Sequence, residues 1–248
     1  GRPALNWTYG AHGVEIEVTG DVVPMRENAI VILNHQQMSD ITVMMMYART
    51  KDRLGDMKWL VKDIIKWVPG VGWGMLFLDC VFVKRDWAKD RDSIRETFST
   101  LRDQDVPLWF LSFSEGTRLT PDKLERNQQW AREHGFPPLR HVLTPRSKGF
   151  VATVEGLRDH VTAVYDITIG YEKGVPSLWQ YMQGLSKRSH IHVRRTAIED
   201  IPESDGELGA WLIKRFGEKD QLLEYYYTHG AFPEQSEEAF EDQSSSAG

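Results

Sequence analysis

Cysteine is nearly absent. Cys80 is the only one in 248 residues, which excludes a disulfide within the chain and favours a reducing compartment. Basic clusters are missing too: no block of five or more lysines and arginines occurs and the formal charge is −6. Nucleic-acid binding, which calls for a basic stripe, is thereby argued against. Long apolar runs are also lacking. The longest strongly apolar window without charge, Trp67 to Leu78, has twelve residues, against the ~20 that a membrane-spanning helix needs. The chain starts Gly1-Arg2-Pro3, without methionine or a signal-peptide pattern, and reads as a piece of a longer protein, with room for a native anchor outside it.

Several chemistries lack their motifs. No G-x-S-x-G nucleophile elbow occurs, which argues against a serine hydrolase or thioesterase. Gly70-Val71-Gly72-Trp73-Gly74 completes neither G-x-G-x-x-G nor G-x4-G-K-[ST], so these glycines read as turns rather than a nucleotide cradle. His134, His141, His190 and His192 show no H-E-x-x-H or paired-cysteine spacing. They read as packed or surface histidines, and we expect neither a metal nor a cofactor.

What is present suits a packed domain. With 41% hydrophobic and 11% aromatic residues, the chain can bury a substantial core. Acidity concentrates at the end: residues 233–248 hold five acids and no lysine or arginine, leaving −1 on the other 232. We expect one domain over residues 1–232 and a disordered, acidic, Ser-rich tail over 233–248. Ala29 to Leu33, Cys80 to Val83, Leu108 to Phe113, Val161 to Ile169 and His190 to Ala197 read as short buried strands. Lys89 to Asp103 and Asp205 to Phe216 carry helical apolar periodicity. The fold class is α/β: a single domain with a central mixed sheet flanked by helices.

Asn34-His35-Gln36-Gln37-Met38-Ser39-Asp40 directly follows the apolar run ending at Leu33. Five positions along a helix rotate by about 500°, so His35 and Asp40 meet only if His35 lies in the strand-to-helix turn. Ser39 or Asp40 would then cap the helix Ile41 to Tyr47. A carboxylate on Nδ1 fixes the tautomer, frees Nε2 to take a hydroxyl proton and stabilises the imidazolium that forms. In isolation, a capping aspartate beside an incidental histidine explains the pattern equally simply.

Phe113-Ser114-Glu115-Gly116-Thr117-Arg118 also ends an apolar run. Glycine lets a ligand approach the backbone, and arginine offers bidentate contacts to a phosphate. Further cations stand in Val81-Phe82-Val83-Lys84-Arg85 and in Thr144-Pro145-Arg146-Ser147-Lys148-Gly149. Taken singly, each reads as a polar turn or a solvated charge.

In order, N-H-x4-D, F-x-x-R, F-x-E-G-T-R and T-P-R-x-K-G-F resemble the four motifs of the glycerolipid acyltransferase family, and most closely its lysophosphatidate acyltransferases. The likeness runs over most of the chain. It implies a glycerol-3-phosphate acyltransferase-like fold with His35 as general base and Asp40 as its partner. It also implies that Lys84, Arg85, Glu115, Gly116, Thr117 and Arg118 shape the acceptor and phosphate site, with Pro145 and Arg146 near acyl-CoA or the acceptor. Acyl-CoA is then a co-substrate and a lysophospholipid the acceptor. Two positions depart from the pattern: Asp79 stands where many members carry glycine, and Ser114 where many carry proline. Both bear on acceptor choice. Another lysophospholipid or glycerol 3-phosphate as acceptor, a thioesterase, and a non-catalytic lipid-binding protein are the alternatives.

A lipid substrate needs access. Trp59 to Leu78 interleaves tryptophans and aliphatic residues with Lys62 and Lys66, a composition that suits the headgroup level of a membrane. An aromatic-rich core helix and turn would have the same composition. The resemblance implies attachment to a membrane surface, at the endoplasmic reticulum or facing the cytosol.

Overall fold

The computed structural model describes residues 5–9, 14–62, 81–83, 87–172, 174, 188–236 and 239–240. Eight strands form one sheet in the order β1-β2-β8-β7-β3-β6-β4-β5. They are β1 (Leu5–Tyr9), β2 (Val14–Gly20), β3 (Ala29–Leu33), β4 (Met57–Lys62), β5 (Val81–Val83), β6 (Trp109–Ser112), β7 (Ala163–Tyr171) and β8 (Arg188–Ala197). The sheet is mixed: β7, β3, β6, β4 and β5 run parallel, β8 runs antiparallel to β7, and β1 antiparallel to β2.

The centre is apolar on both faces, as parallel strands require. All five residues of β3 and all nine of β7 are buried. Alternation then divides them. Ala29, Val31 and Leu33 face Val43, Met44 and Tyr47 of helix α1 (Ser39–Thr50), whereas Ile30 and Ile32 join the opposite core. That second core takes in Ile94, Phe98 and Leu101 of α2 (Trp87–Asp103), and Phe150, Val154 and Leu157 of α4 (Ser147–Leu157). It is completed by Leu208, Leu212, Phe216, Leu222 and Leu223 of α5 (Asp205–His229). Helix α3 (Pro121–Glu133) is more exposed, with Ala131 its buried residue.

Adjacent strands β3 and β6 pair in parallel, Ile30 with Phe110 and Ile32 with Ser112. Their next helices that pack on the sheet lie on opposite faces: α1 after β3, α4 after β6. Such divergence opens a crevice beyond the carboxyl ends of the two strands, where open α/β sheets bind ligands. Both motifs singled out above follow those two ends.

The expected strands at Ala29, Leu108, Val161 and His190 are all present within about two residues, and Val81–Val83 matches the one expected from Cys80. Strands β1, β2 and β4 are additions. The helix expected to end at Phe216 continues to His229, because Leu222, Leu223 and Tyr226 extend its buried stripe. Its start is a capping box, with Ser204 accepting from the Glu207 amide and donating to the Glu207 carboxylate, and its end is Gly230 at φ 78. Trp59 lies in β4, packed in the core at 4% exposure, which removes it from any membrane-facing patch. Leu60 to Lys62 continue β4, and residues 63–78, the rest of that segment, fall outside the described residues.

Packing also continues past Phe232, where the domain was expected to end. Ala239 is fully buried, Phe240 packs against the same core, and Ser236 bonds His192. Burial pulls the His192 imidazole down to about 3, so the ring stays neutral and bridges Thr19 and Ser236 through its two nitrogens.

A charge cluster lies between α5 and the sheet. Lys219, fully buried, donates to the Asp166 carboxylate, the Ile167 carbonyl at 2.7 Å and the Thr168 hydroxyl at 3.2 Å. Arg194 bonds the other Asp166 oxygen and reaches Glu218 at 2.6 Å. Burial alone would push the Asp166 carboxyl up, but Arg194 and Lys219 bring it below the ordinary carboxylate range. Removing one member of a buried pair strands the other, so Lys219→Met should destabilise the fold by about 3 kcal/mol. Urea denaturation monitored by tryptophan fluorescence measures this.

Candidate active site

His35 and Asp40 come together as the spacing requires. Leu33 ends β3, residues 34–38 form the turn, and His35 Nδ1 lies 3.1 Å from Asp40 Oδ2. The mode differs from the expected cap. Met38 holds the N-cap position without a side-chain bond and Asp40 is the second residue of α1. Its Oδ2 instead reaches back to accept from the backbone amides of Gln36 at 2.7 Å and Gln37 at 2.8 Å. The carboxylate therefore closes the very turn that carries the histidine.

A carboxylate can only accept, so His35 Nδ1 carries the hydrogen and Nε2 presents its lone pair. Among the described residues none bonds Nε2. The side chain is 14% exposed, and its ring lies 4.5 Å from that of Phe113. Asn34 anchors the turn to β7 in both directions, donating to the Ile169 carbonyl at 3.0 Å and accepting from its amide at 2.8 Å.

Glu115 turns inward. Its carboxyl, at 2% exposure, accepts from the backbone amides of His35 at 2.6 Å and Leu143 at 2.9 Å. It braces the His35 turn against the segment at Leu143. Ser114, at the departure from proline, accepts from the Arg146 amide at 2.8 Å and pairs its hydroxyl with Ser112 at 3.0 Å.

One cation, Arg146, passes over the glycine. Gly116 has φ +70, and a Cβ there would lie 3.3 Å from Arg146 Cδ and 3.4 Å from its Nε. Glycine thus serves both the left-handed backbone and the close passage of the arginine. Arg118 donates from Nη1 to Gln37 Oε1 at 2.7 Å, tying F-x-E-G-T-R to N-H-x4-D. Lys123, in the first turn of α3, donates to the Thr117 hydroxyl at 2.6 Å. Arg118 and Arg146 are exposed and Pro145 is buried. Lys84 and Arg85 lie outside the described residues.

Three contributors escaped the sequence reading. Tyr171 donates to Asp40 Oδ1 at 2.6 Å, Gln37 holds Arg118, and Lys123 supports Thr117. Only Gln37 carried a signal, its place inside the H-x4-D motif.

Burial pushes the Glu115 carboxyl up to about 8, against the opposing pull of its two amide donors and of Lys219. The folded value lies above the ordinary 4.5. Stability from this group is therefore fully present below about pH 4.5 and is lost as pH rises through about 8. Relative to a non-titrating Glu115→Gln variant, wild type should lose stability across that interval, as read from urea midpoints at several pH values.

Comparison with known proteins identifies the family. A family model described as acyltransferase matches residues 15–172, and one described as acyltransferase C-terminus matches residues 180–247. The 1-acyl-sn-glycerol-3-phosphate acyltransferase delta of Homo sapiens is 41% identical over 210 residues, covering 84% of this chain and 56% of the relative. A probable 1-acyl-sn-glycerol-3-phosphate acyltransferase 5 of Arabidopsis thaliana is 35% identical, covering 89% and 59%. The 1-acyl-sn-glycerol-3-phosphate acyltransferase 2 of Brassica oleracea is 34% identical, covering 91% and 59%. The chain thus spans less than two thirds of each of these relatives. With the dyad and the arginine-bearing glycine turn both inside the matched region, the chain belongs to the acyltransferase family.

Proposed function

We propose that this chain carries the catalytic domain of an acyl-CoA-dependent O-acyltransferase, which transfers a fatty acyl group to the free hydroxyl of lysophosphatidate and yields phosphatidate. The observation that supports it most is that His35 Nε2, unbonded among the described residues, belongs to the same turn as Gln37, which holds Arg118 at 2.7 Å. The names of the relatives, all 1-acyl-sn-glycerol-3-phosphate acyltransferases, point to the same acceptor.

In this reading Arg118 and Arg146 receive the phosphomonoester, and the acceptor hydroxyl lies at His35. Nε2 takes the hydroxyl proton as the oxygen attacks the thioester carbonyl, and Asp40 stabilises the resulting imidazolium. Collapse of the tetrahedral intermediate expels the CoA thiolate, to which the imidazolium returns the proton. The chemistry is direct transfer between two bound substrates, without an acyl-enzyme. No helix of the described residues is long and apolar enough to cross a membrane. A lysophospholipid resides in a bilayer, so we place the working domain at a membrane surface, cytosol-facing or at the endoplasmic reticulum.

Two variants test the assignment. His35→Ala should lower transfer by about 10²–10⁴-fold while leaving circular dichroism and the melting temperature near wild type. A folded and fully active variant would sink the mechanism. Arg118→Ala should weaken use of the phosphomonoester by about 10-fold or more, mainly in KM, as expected for a lost charge-assisted hydrogen bond. An acceptor panel with radiolabelled acyl-CoA reads both effects. Equal wild-type rates on phosphomonoester and choline acceptors would refute the phosphate role, and CoA release independent of acceptor would indicate a hydrolase.

A further inference from the structure

We infer that Tyr171 is a positioning residue of the His35–Asp40 pair, its hydroxyl holding the one Asp40 oxygen that the catalytic turn does not use. The inference rests on the acyl-transfer reading for its kinetic consequences, but its geometry stands apart from that reading.

The two oxygens of Asp40 have different duties. Oδ2 collects three donors, His35 Nδ1 at 3.1 Å and the Gln36 and Gln37 amides at 2.7 and 2.8 Å. Oδ1 receives the Tyr171 hydroxyl at 2.6 Å, and the same hydroxyl lies 3.2 Å from Ser39 Oγ. Asp40 is fully buried, so no water replaces a lost donor. An unsatisfied oxygen there would draw the carboxylate about its terminal torsion toward another partner. That rotation would take Oδ2 off the line of the imidazole.

Tyr171 is well placed to prevent it. It is the last residue of β7 and is 1% exposed. Its strand is clamped by β3 on one side and by nine antiparallel pairs with β8 on the other. Apolar packing alone would be served by phenylalanine, since a buried phenol demands a partner for its hydroxyl. Tyr171 stands 131 residues from Asp40 and outside all four motifs.

The pair is surrounded by few other charges among the described residues. Glu115 lies behind His35 from the β6 side and repels Asp40, Tyr227 approaches from α5, and Arg118 stands at Gln37. Deleting the Tyr171 hydroxyl withdraws a donor from the Asp40 carboxylate, which concentrates negative charge on the oxygen facing His35. The pair then takes up a proton at higher pH, as a unit. Because catalysis needs neutral His35, the acid limb of the rate profile moves up with it.

The test compares wild type with Tyr171→Phe over roughly pH 5–9, reading kcat, KM and the NMR titration of the His35 imidazole. The expected result is a fall in kcat of about 10-fold with KM for both substrates within about twofold, and a shift of both the acid limb and the imidazole titration to higher pH. Difluorotyrosine at position 171, a stronger donor of similar shape, should move the titration to lower pH and serves if the phenylalanine variant folds poorly. Unmoved titrations in the folded variants would overturn the inference, even if kcat fell, because a purely structural role leaves the imidazole where it was. If wild type shows no transfer, the functional reading fails, while the imidazole titration still decides the role of Tyr171.

Discussion

A single buried carboxyl joins three parts of the chain that lie far apart in sequence. Glu115 follows β6, accepts from the His35 amide after β3, and accepts from the Leu143 amide in the segment that leads into α4. Neither oxygen is available to solvent. The position of the His35 turn and the approach of the chain to α4 are therefore tied to one side chain. Its environment is mixed: burial disfavours the ionised form while the two amides favour it. Placing such a group beneath a site costs stability and gives the two loops one shared reference point.

Around that point the work is divided between rigid and exposed parts. His35, Asp40, Asn34 and Tyr171 are bonded to one another or to β7, and only the imidazole edge reaches outward. Arg118 and Arg146 stay at the surface, one held by Gln37 and one lying over Gly116. A base must keep its direction to within a fraction of an ångström, whereas a phosphate can be met by mobile cations of matching reach. Under the proposed reaction, each task has the kind of support it needs.

Local patterns in the sequence disclose much of this, and distant pairings little. Ala29 to Leu33 is an uninterrupted branched and apolar run, so a central strand was readable there, and His35 followed from its end. Val14 to Gly20 and Leu5 to Tyr9 mix polar with apolar residues near a sheet edge, where half-solvated strands carry a weak signal. The start of Trp59 to Leu78 reads as interfacial because Trp59 and Lys62 are equally at home in a membrane surface and a strand, and only burial separates the two. Asp40 meets His35 as expected, and only the cap offered for Ser39 or Asp40 is replaced: capping chemistry and turn closure use the same residue types. Tyr171 and Lys219 act across 131 and 53 residues. Nothing local marks them, since a buried tyrosine or an amphipathic lysine reads as packing or as a solvated face.

The pairing of β3 with β6, Ile30 on Phe110 and Ile32 on Ser112, has a consequence for folding fidelity. Side chains in a strand alternate with a period of two, so a slip of one residue would exchange the two cores along the slipped strand. It would also displace the Glu115 carboxyl by one strand step, about 3.3 Å, from the His35 amide it now meets. Misregistered chains would thus lose the base's anchor together with their packing. Under the proposed reaction, activity therefore depends on correct strand alignment.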